Sequence, residues 1–291
     1  MMQNYIQFKK QREVGEILND TFKFLRENFK PLFKIIIKTV GPAFLFLALA
    51  IGYYSYLTVG TMNNPFIELF SSSDVGEVFL GLGLLFVAVV VYMSLLYGTI
   101  LHYIKSYIQN KGTANLEEVQ DQTKNDFGSL FGLTLLVGII LIFGLLLCLL
   151  PGIYLSVPLS LVFSILVFDK LGISESITES FRLVKNNWWM TFVTFLVIMI
   201  IVYVISFVFS IPLIIYTLFK GITMVEQGSA ANPAEMFDWV YVTLNIITSL
   251  FQYLLYIITT IATAFIYFNL KEKKYFTGTY ETIEGLGKDH E

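Results

Sequence analysis

Charge is missing from five long stretches of this chain: residues 39–67, 78–104, 127–168, 188–219 and 239–270. A helix crossing the hydrocarbon core of a bilayer needs about 20 apolar residues. Four of the stretches hold one such helix. The run 127–168 is long enough for two, at about 1.5 Å per residue. Leu150-Pro151-Gly152 divides it, because proline lacks an amide donor and glycine permits a tight turn. The pattern predicts spans near 33–59, 78–104, 128–150, 153–169, 188–219 and 239–270, with Lys34 and Lys38 snorkelling at the edge of the first. Composition agrees. Only 14% of residues are charged and 56% are hydrophobic, where a soluble domain carries about 25% charged residues. The expected fold is an all-α integral membrane protein, a single membrane domain over 1–291. Its six transmembrane helices form three hairpins, with cytoplasmic interfacial amphipathic helices beside them.

Lysine and arginine stay on the cytoplasmic side. With the N-terminus inside, eighteen of the nineteen basic residues fall in the N-terminal segment, the 2–3 and 4–5 connections and the 271–291 tail, and only Lys220 falls outside. The expected outer loops carry the acids Glu68, Asp74, Glu77, Glu226, Glu235 and Asp238. Both termini are therefore expected in the cytoplasm. No cleavable signal or lipidation motif is expected: residues 1–30 lack an apolar core, Met2 stands where myristoylation needs glycine, and no cysteine closes the chain. Abundant Phe, Ile and Lys with short loops suggest a bacterial cytoplasmic (inner) membrane. Cys148 is the lone cysteine, which excludes a disulfide within the chain and reads as a small hydrophobe.

Two inside segments are amphipathic. Over 12–30, Val14, Ile17, Leu18, Phe22, Leu25 and Phe29 recur at helical spacing, with charges opposite. Over 173–187, Ile173, Ile177, Phe181 and Val184 lead into Trp188 and Trp189. Such helices either lie in the membrane interface or pack on the rest of the chain. Phe22, Leu25, Phe29, Phe181, Val184, Trp188 and Trp189 are the candidate membrane-interface or partner surface. Phe22–Phe29 aligns with Phe181–Trp188, and Lys124–Phe127 echoes both, each before an odd-numbered span. Duplication and convergence on interface chemistry both produce that pattern.

Gly15-Glu16-Ile17-Leu18, Leu150-Pro151-Gly152-Ile153-Tyr154-Leu155, Ser180-Phe181 to Asn187-Trp188-Trp189, and Tyr267-Phe268-Asn269-Leu270-Lys271 together resemble the bacterial glycerophosphoryl diester phosphodiesterase membrane-domain family. The resemblance is to stand-alone relatives lacking the hydrolase domain. It covers most of the chain through motifs that are mostly structural. It implies an accessory role in the membrane rather than the phosphodiesterase activity.

Residues with chemistry are few. A metal site wants three or four converging His, Cys, Asp or Glu groups, and only His102 and the tail residue His290 are histidines. No metal, cofactor or nucleic-acid partner is expected. His102 reads as an interfacial polar tip. Asn245, Gln252 and Thr259 share one face of the sixth span, as a polar lining or as bonds to a neighbouring helix. Pro158 and Pro212 mark a broken helix or a kink. Gly81-Leu82-Gly83 sits inside a span and reads as close helix contact. The leading reading is a non-catalytic scaffold or accessory subunit that touches the bilayer, its anionic lipids at the cytoplasmic face, and a membrane or cytoplasmic protein partner. A carrier or channel for lipid or a small apolar solute comes second. An intramembrane enzyme using His102 and Asp169 comes last.

Overall fold

The computed structural model describes residues 5–59, 75–147, 149–226, 238–280 and 283. Among them are helices and no strand. Cys148, the acids Glu68, Asp74 and Glu235, and Lys288 and His290 of the tail lie outside the described residues. Six helical stretches are long and apolar enough to cross a membrane: Val14–Leu57, Gly76–Gln109, Phe127–Leu147, Leu149–Asp169, Trp188–Glu226 and Trp239–Tyr275. The protein is an all-α, multi-pass membrane protein.

The elements are α1 (Val14–Val59), α2 (Val75–Gln109), α3 (Leu116–Asn125), α4 (Phe127–Leu147), α5 (Leu149–Leu159), α6 (Val162–Asp169), α7 (Ile173–Val184), α8 (Trp188–Glu226) and α9 (Trp239–Tyr275). Local chemistry marks several ends. Asn115 caps α3, its Oδ1 accepting from the Glu117 and Glu118 amides at 3.2 and 3.4 Å. Lys170 closes α6 in the left-handed region at φ 55. The Glu175 side chain accepts from the Gly172 amide at the start of α7, at 3.2 Å.

Two helix boundaries differ from the sequence pattern. Residues 14–30 of the amphipathic segment 12–30 and the first span form one unbroken helix, α1, with Pro31 and Pro42 inside it, and Arg12 and Glu13 precede it. Leu150-Pro151-Gly152, expected to divide the 127–168 run, is helical and belongs to α5, which is described from Leu149. Gly152 serves packing instead. A Cβ there would lie 3.1 Å from the Leu145 Cα, and one on Gly144 would lie 3.3 Å from the Gly152 Cα. The fourth span does break, after Pro158: Ser160 and Leu161 form a turn between α5 and α6. α8 continues through Pro212 without a break.

The chain divides into two compact units. Unit 1 is Met1–Val40, Met93–Ile200 and Ile257–Glu291. Its core includes Phe24, Leu32 and Ile35 of α1, Leu96, Ile100 and Tyr103 of α2, the α6 residues 162–167, and Ile261, Phe265 and Tyr267 of α9, all buried. Unit 2 is Gly41–Tyr92 and Ile201–Tyr256. Its described contacts include buried Leu47, Ala50 and Ala88, the Tyr92 hydroxyl donating to the Tyr253 carbonyl at 3.0 Å, and Phe209 stacked on Phe251 at 4.3 Å. A Cβ on Gly81 would meet Leu57 Cδ1 at 2.7 Å, whereas Gly83 faces open space.

Candidate functional site

In unit 1 the lysine- and arginine-bearing segments meet. Residues 5–12 form a strap without helix that inserts an aromatic side chain among three helices. Phe8 is fully buried, stacked on Phe265 at 4.3 Å and edge-on to Phe24 at 5.3 Å and Tyr107 at 6.1 Å. The Tyr107 hydroxyl accepts from the Ile6 amide at 3.1 Å. Arg12 anchors the strap. Its guanidinium donates to the carbonyls of Gln7, Phe8 and Lys10 and pairs with Asp20 at 2.8 Å, and it lies 4.8 Å above the Phe265 ring. Its backbone amide donates to Asn269 Oδ1 at 2.8 Å. Burial pulls the Arg12 guanidinium below its ordinary value, and the Asp20 hydrogen bond and charge work against that shift.

The same logic recurs at the end of α9. Tyr267 donates to Asp169 at 2.8 Å, and Lys271 pairs with that carboxylate. Glu272 accepts from the Gly278 amide at 2.7 Å and from the Thr279 amide at 3.0 Å. Tyr275 donates to Glu179 at 2.9 Å and accepts from Arg182 at 2.7 Å. The motif Tyr267-Phe268-Asn269-Leu270-Lys271 thus gathers ties to the strap and to the end of α6.

The second feature is a cavity of about 400 Å³ where α2, α3, α4 and the α6–α7 turn converge. It is lined by His102, Lys105, Gln122, Asn125, Asp126, Ser129, Leu166, Lys170, Leu171 and Gly172. His102 is 1% exposed. Gln122 donates its amide nitrogen to Glu118 at 2.8 Å, so its oxygen faces His102 Nδ1 at 3.0 Å. Nδ1 therefore carries a proton, and in a neutral ring Nε2 is then an acceptor. Nε2 lies 3.1 Å from Asp126 Oδ2, and it has no hydrogen-bond partner among the described residues. Lys105 donates to the Val167 carbonyl at 2.7 Å.

The residues that the sequence singles out are placed as follows. Along the first part of α1, Ile17, Thr21, Phe24, Asn28 and Leu32 form the buried stripe. Phe22 and Phe29 are exposed and Leu25 half-buried, beside Lys23 and Arg26 on a shallow groove. In α7 the buried residues are Ser176, Ser180, Leu183 and Val184, with Phe181 half-buried. The aligned pairs Ile17 and Ser176, Thr21 and Ser180, and Phe24 and Leu183 are thus buried in the same register. Trp188 stacks on Tyr154 at 5.4 Å and on Phe192 at 5.2 Å, and Trp189 is exposed. In unit 2, Asn245 is half-buried and Gln252 exposed; Thr259, in unit 1, is half-buried. His102 and Asp169 do not share a site: the first faces Gln122 and Asp126, the second Tyr267 and Lys271.

Sequence reasoning missed the strap, Asn28 and the His102 cavity. Arg12 reads as part of a polar helix face. The apolar pair Ile6 and Phe8 just before it was the available signal for a docked segment. Asn28 bridges helices, accepting from the Tyr103 hydroxyl at 3.1 Å. Gln122 and Asp126 lie on either side of the end of the polar helix α3, where nothing in the spacing links them to His102. No family model matches the chain, and no curated protein or solved structure is significantly similar to it.

Proposed function

We propose that this protein is a non-catalytic scaffold or accessory subunit of the bacterial cytoplasmic membrane, with both termini cytoplasmic and its six spans arranged as three hairpins. The observation that carries the reading is the double-faced first third of α1. One stripe, Ile17 to Leu32, is locked into unit 1, while Phe22, Phe29 and Phe33 stand exposed at 37%, 53% and 39%. Lys23, Arg26 and Lys30 accompany them. Aromatic rings with adjacent bases suit an anionic interface, where each base contributes about 1 kcal/mol. The packed stripe holds that face rigid, as a docking surface requires. The resemblance to the phosphodiesterase membrane-domain family favours the same accessory role. The positive-inside distribution supports the orientation. Its one exception, Lys220, is paired with Asp238 at 2.9 Å.

The test is photocrosslinking in native membranes from a reactive residue at position 22 or 29, in the otherwise intact chain. Crosslinks to one protein at near-stoichiometric yield, lost with Lys23→Glu and Arg26→Glu, support the scaffold reading. Crosslinks to lipid alone reduce this face to an anchor and remove the partner.

The carrier or channel reading keeps one observation in its favour. Gln252 is exposed on a membrane helix, with half-buried Asn245 and Ser249 on the same face. Labelled-lipid flux in proteoliposomes that is unchanged by Asn245→Leu with Gln252→Leu removes that pathway.

A further inference from the structure

The cavity beside His102 mixes donors and acceptors in its lining. Lys105, Lys170, the Ser129 hydroxyl and the Asn125 amide are donors suited to an anion. Two acceptors line it as well: Nε2 of a histidine that is 1% exposed, which has no hydrogen-bond partner among the described residues, and the Asp126 carboxylate 3.1 Å from it. A donor placed between these two meets both. A bare anion suits the lysines and is repelled by the acceptor pair. A cation does the reverse. At about 400 Å³ the space exceeds what a single water or ion fills.

We propose that this pocket binds a phosphate ester whose alcohol part carries a free hydroxyl or ammonium group. The phosphate lies against Lys170 and Lys105, and the donor group lies against His102 Nε2 and Asp126. Leu166 and Leu171 supply the apolar wall for the carbon skeleton. The His102 ring is fixed for this task by a relay: Gln122 holds Nδ1, Glu118 holds Gln122 at 2.8 Å, and Ser106 holds Glu118 at 3.5 Å. The ligand is either a phospholipid headgroup or a soluble phosphate ester, and both share this chemistry. The site does not depend on the scaffold reading, which concerns a different face of unit 1.

The test uses the full-length protein in detergent micelles. Native mass spectrometry is titrated with phosphatidylethanolamine, phosphatidylglycerol and phosphatidylcholine of matched chains. The ethanolamine and choline headgroups have equal net charge and differ in N–H donors. One copy of the ethanolamine or glycerol lipid is expected to bind about tenfold tighter than the choline lipid, the worth of one charge-assisted hydrogen bond. Asp126→Asn, at a 46% exposed side chain, is expected to shrink that preference. Lys170→Gln is expected to weaken all three lipids about tenfold, with recovery in Lys170→Arg, and melting temperatures of the variants control for folding. Competition by glycerol 3-phosphate at micromolar concentration assigns the site to a soluble ester. Retained lipid preference without competition assigns it to the headgroup. Equal binding of the three lipids overturns the proposal, as does a preference that survives both Asp126→Asn and Lys170→Gln in folded protein.

Discussion

Unit 1 and unit 2 share stretches of four long helices, to which unit 1 adds α3 to α7, and their described ties differ in kind. In unit 1 side chains tie distant segments: Arg12 to the strap carbonyls, Asn28 to Tyr103, Asp169 to Tyr267 and Lys271, Arg182 to Tyr275. In unit 2 the described ties include Tyr92 to the Tyr253 carbonyl and Asp238 to Tyr216 and Lys220, and large apolar side chains point outward along the spans of both units, Tyr203 at 72% in unit 2 and Leu147 at 82% in unit 1 among them. The physical reason is the solvent each part of a helix meets. Lipid tails are as apolar as leucine, so burying leucine against a neighbouring helix gains little there. Helix ends at the membrane edge carry unpaired carbonyls and amides that must be met by specific partners. Specific bonds are therefore expected where the helices end, in either unit, and exposed apolar surface along the candidate spans.

That contrast can be broken by substitution. The largest effect is expected for Arg12→Ala, which strands three carbonyls and Asp20 beneath the strap. Breaking a buried pair of this kind costs about 3–5 kcal/mol. Lys220→Ala in unit 2 removes a half-exposed pair worth roughly 0–1 kcal/mol. Thermal melts of the two variants in the same detergent should separate widely, and equal losses would erase the distinction between the units.

Gly152→Ala is next. Its Cβ would press into Leu145, including the Leu145 Cα at 3.1 Å, and overpacking costs about 1–3 kcal/mol. Gly83→Ala, which meets nothing within 4 Å, should leave the melting temperature level or slightly raised. A matched loss at both sites would show that glycine's role in unit 2 is also close packing.

The smallest effect is acid-dependent and belongs to unit 2. Burial raises the Asp238 carboxyl, but hydrogen bonds from Tyr216, Lys220 and the Tyr241 amide outweigh it and hold the group down to about 2, from an ordinary 3.8. A carboxylate held below its unfolded value stabilises the fold above that value and loses its contribution as pH falls through the folded one. The contribution is therefore whole above about pH 4 and gone below about pH 2. Trp239, which follows Asp238, reports this by fluorescence in a Trp188→Phe, Trp189→Phe background. Asp238→Asn should flatten the acid transition.

The spans were legible because a charge-free run of about 20 or more apolar residues crosses a bilayer as a helix. The role of Leu150-Pro151-Gly152 was not. Proline looks the same in sequence at a break and inside a helix, and Gly152 looks like a turn glycine until Leu145 is seen against it. The stripe Val14 to Phe29 was read as a single apolar face. A helix period fits both Phe22–Phe29 and Phe24–Asn28–Leu32, and only the packing partners Tyr103 and Phe265 decide which is inside. His102 was found and its partners were not, since Gln122 and Asp126 reach it through the fold of α3 back onto α2.

The strap has a consequence for how the molecule is made. Phe8 and Arg12 are translated early, but the groups that receive them, Phe265 and Asn269, lie some 257 positions later. During synthesis the strap can meet Asp20, Phe24 and Tyr107 early, but its seat stays open on one side until the sixth span has left the ribosome. Completion of that seat thus waits for nearly the whole chain.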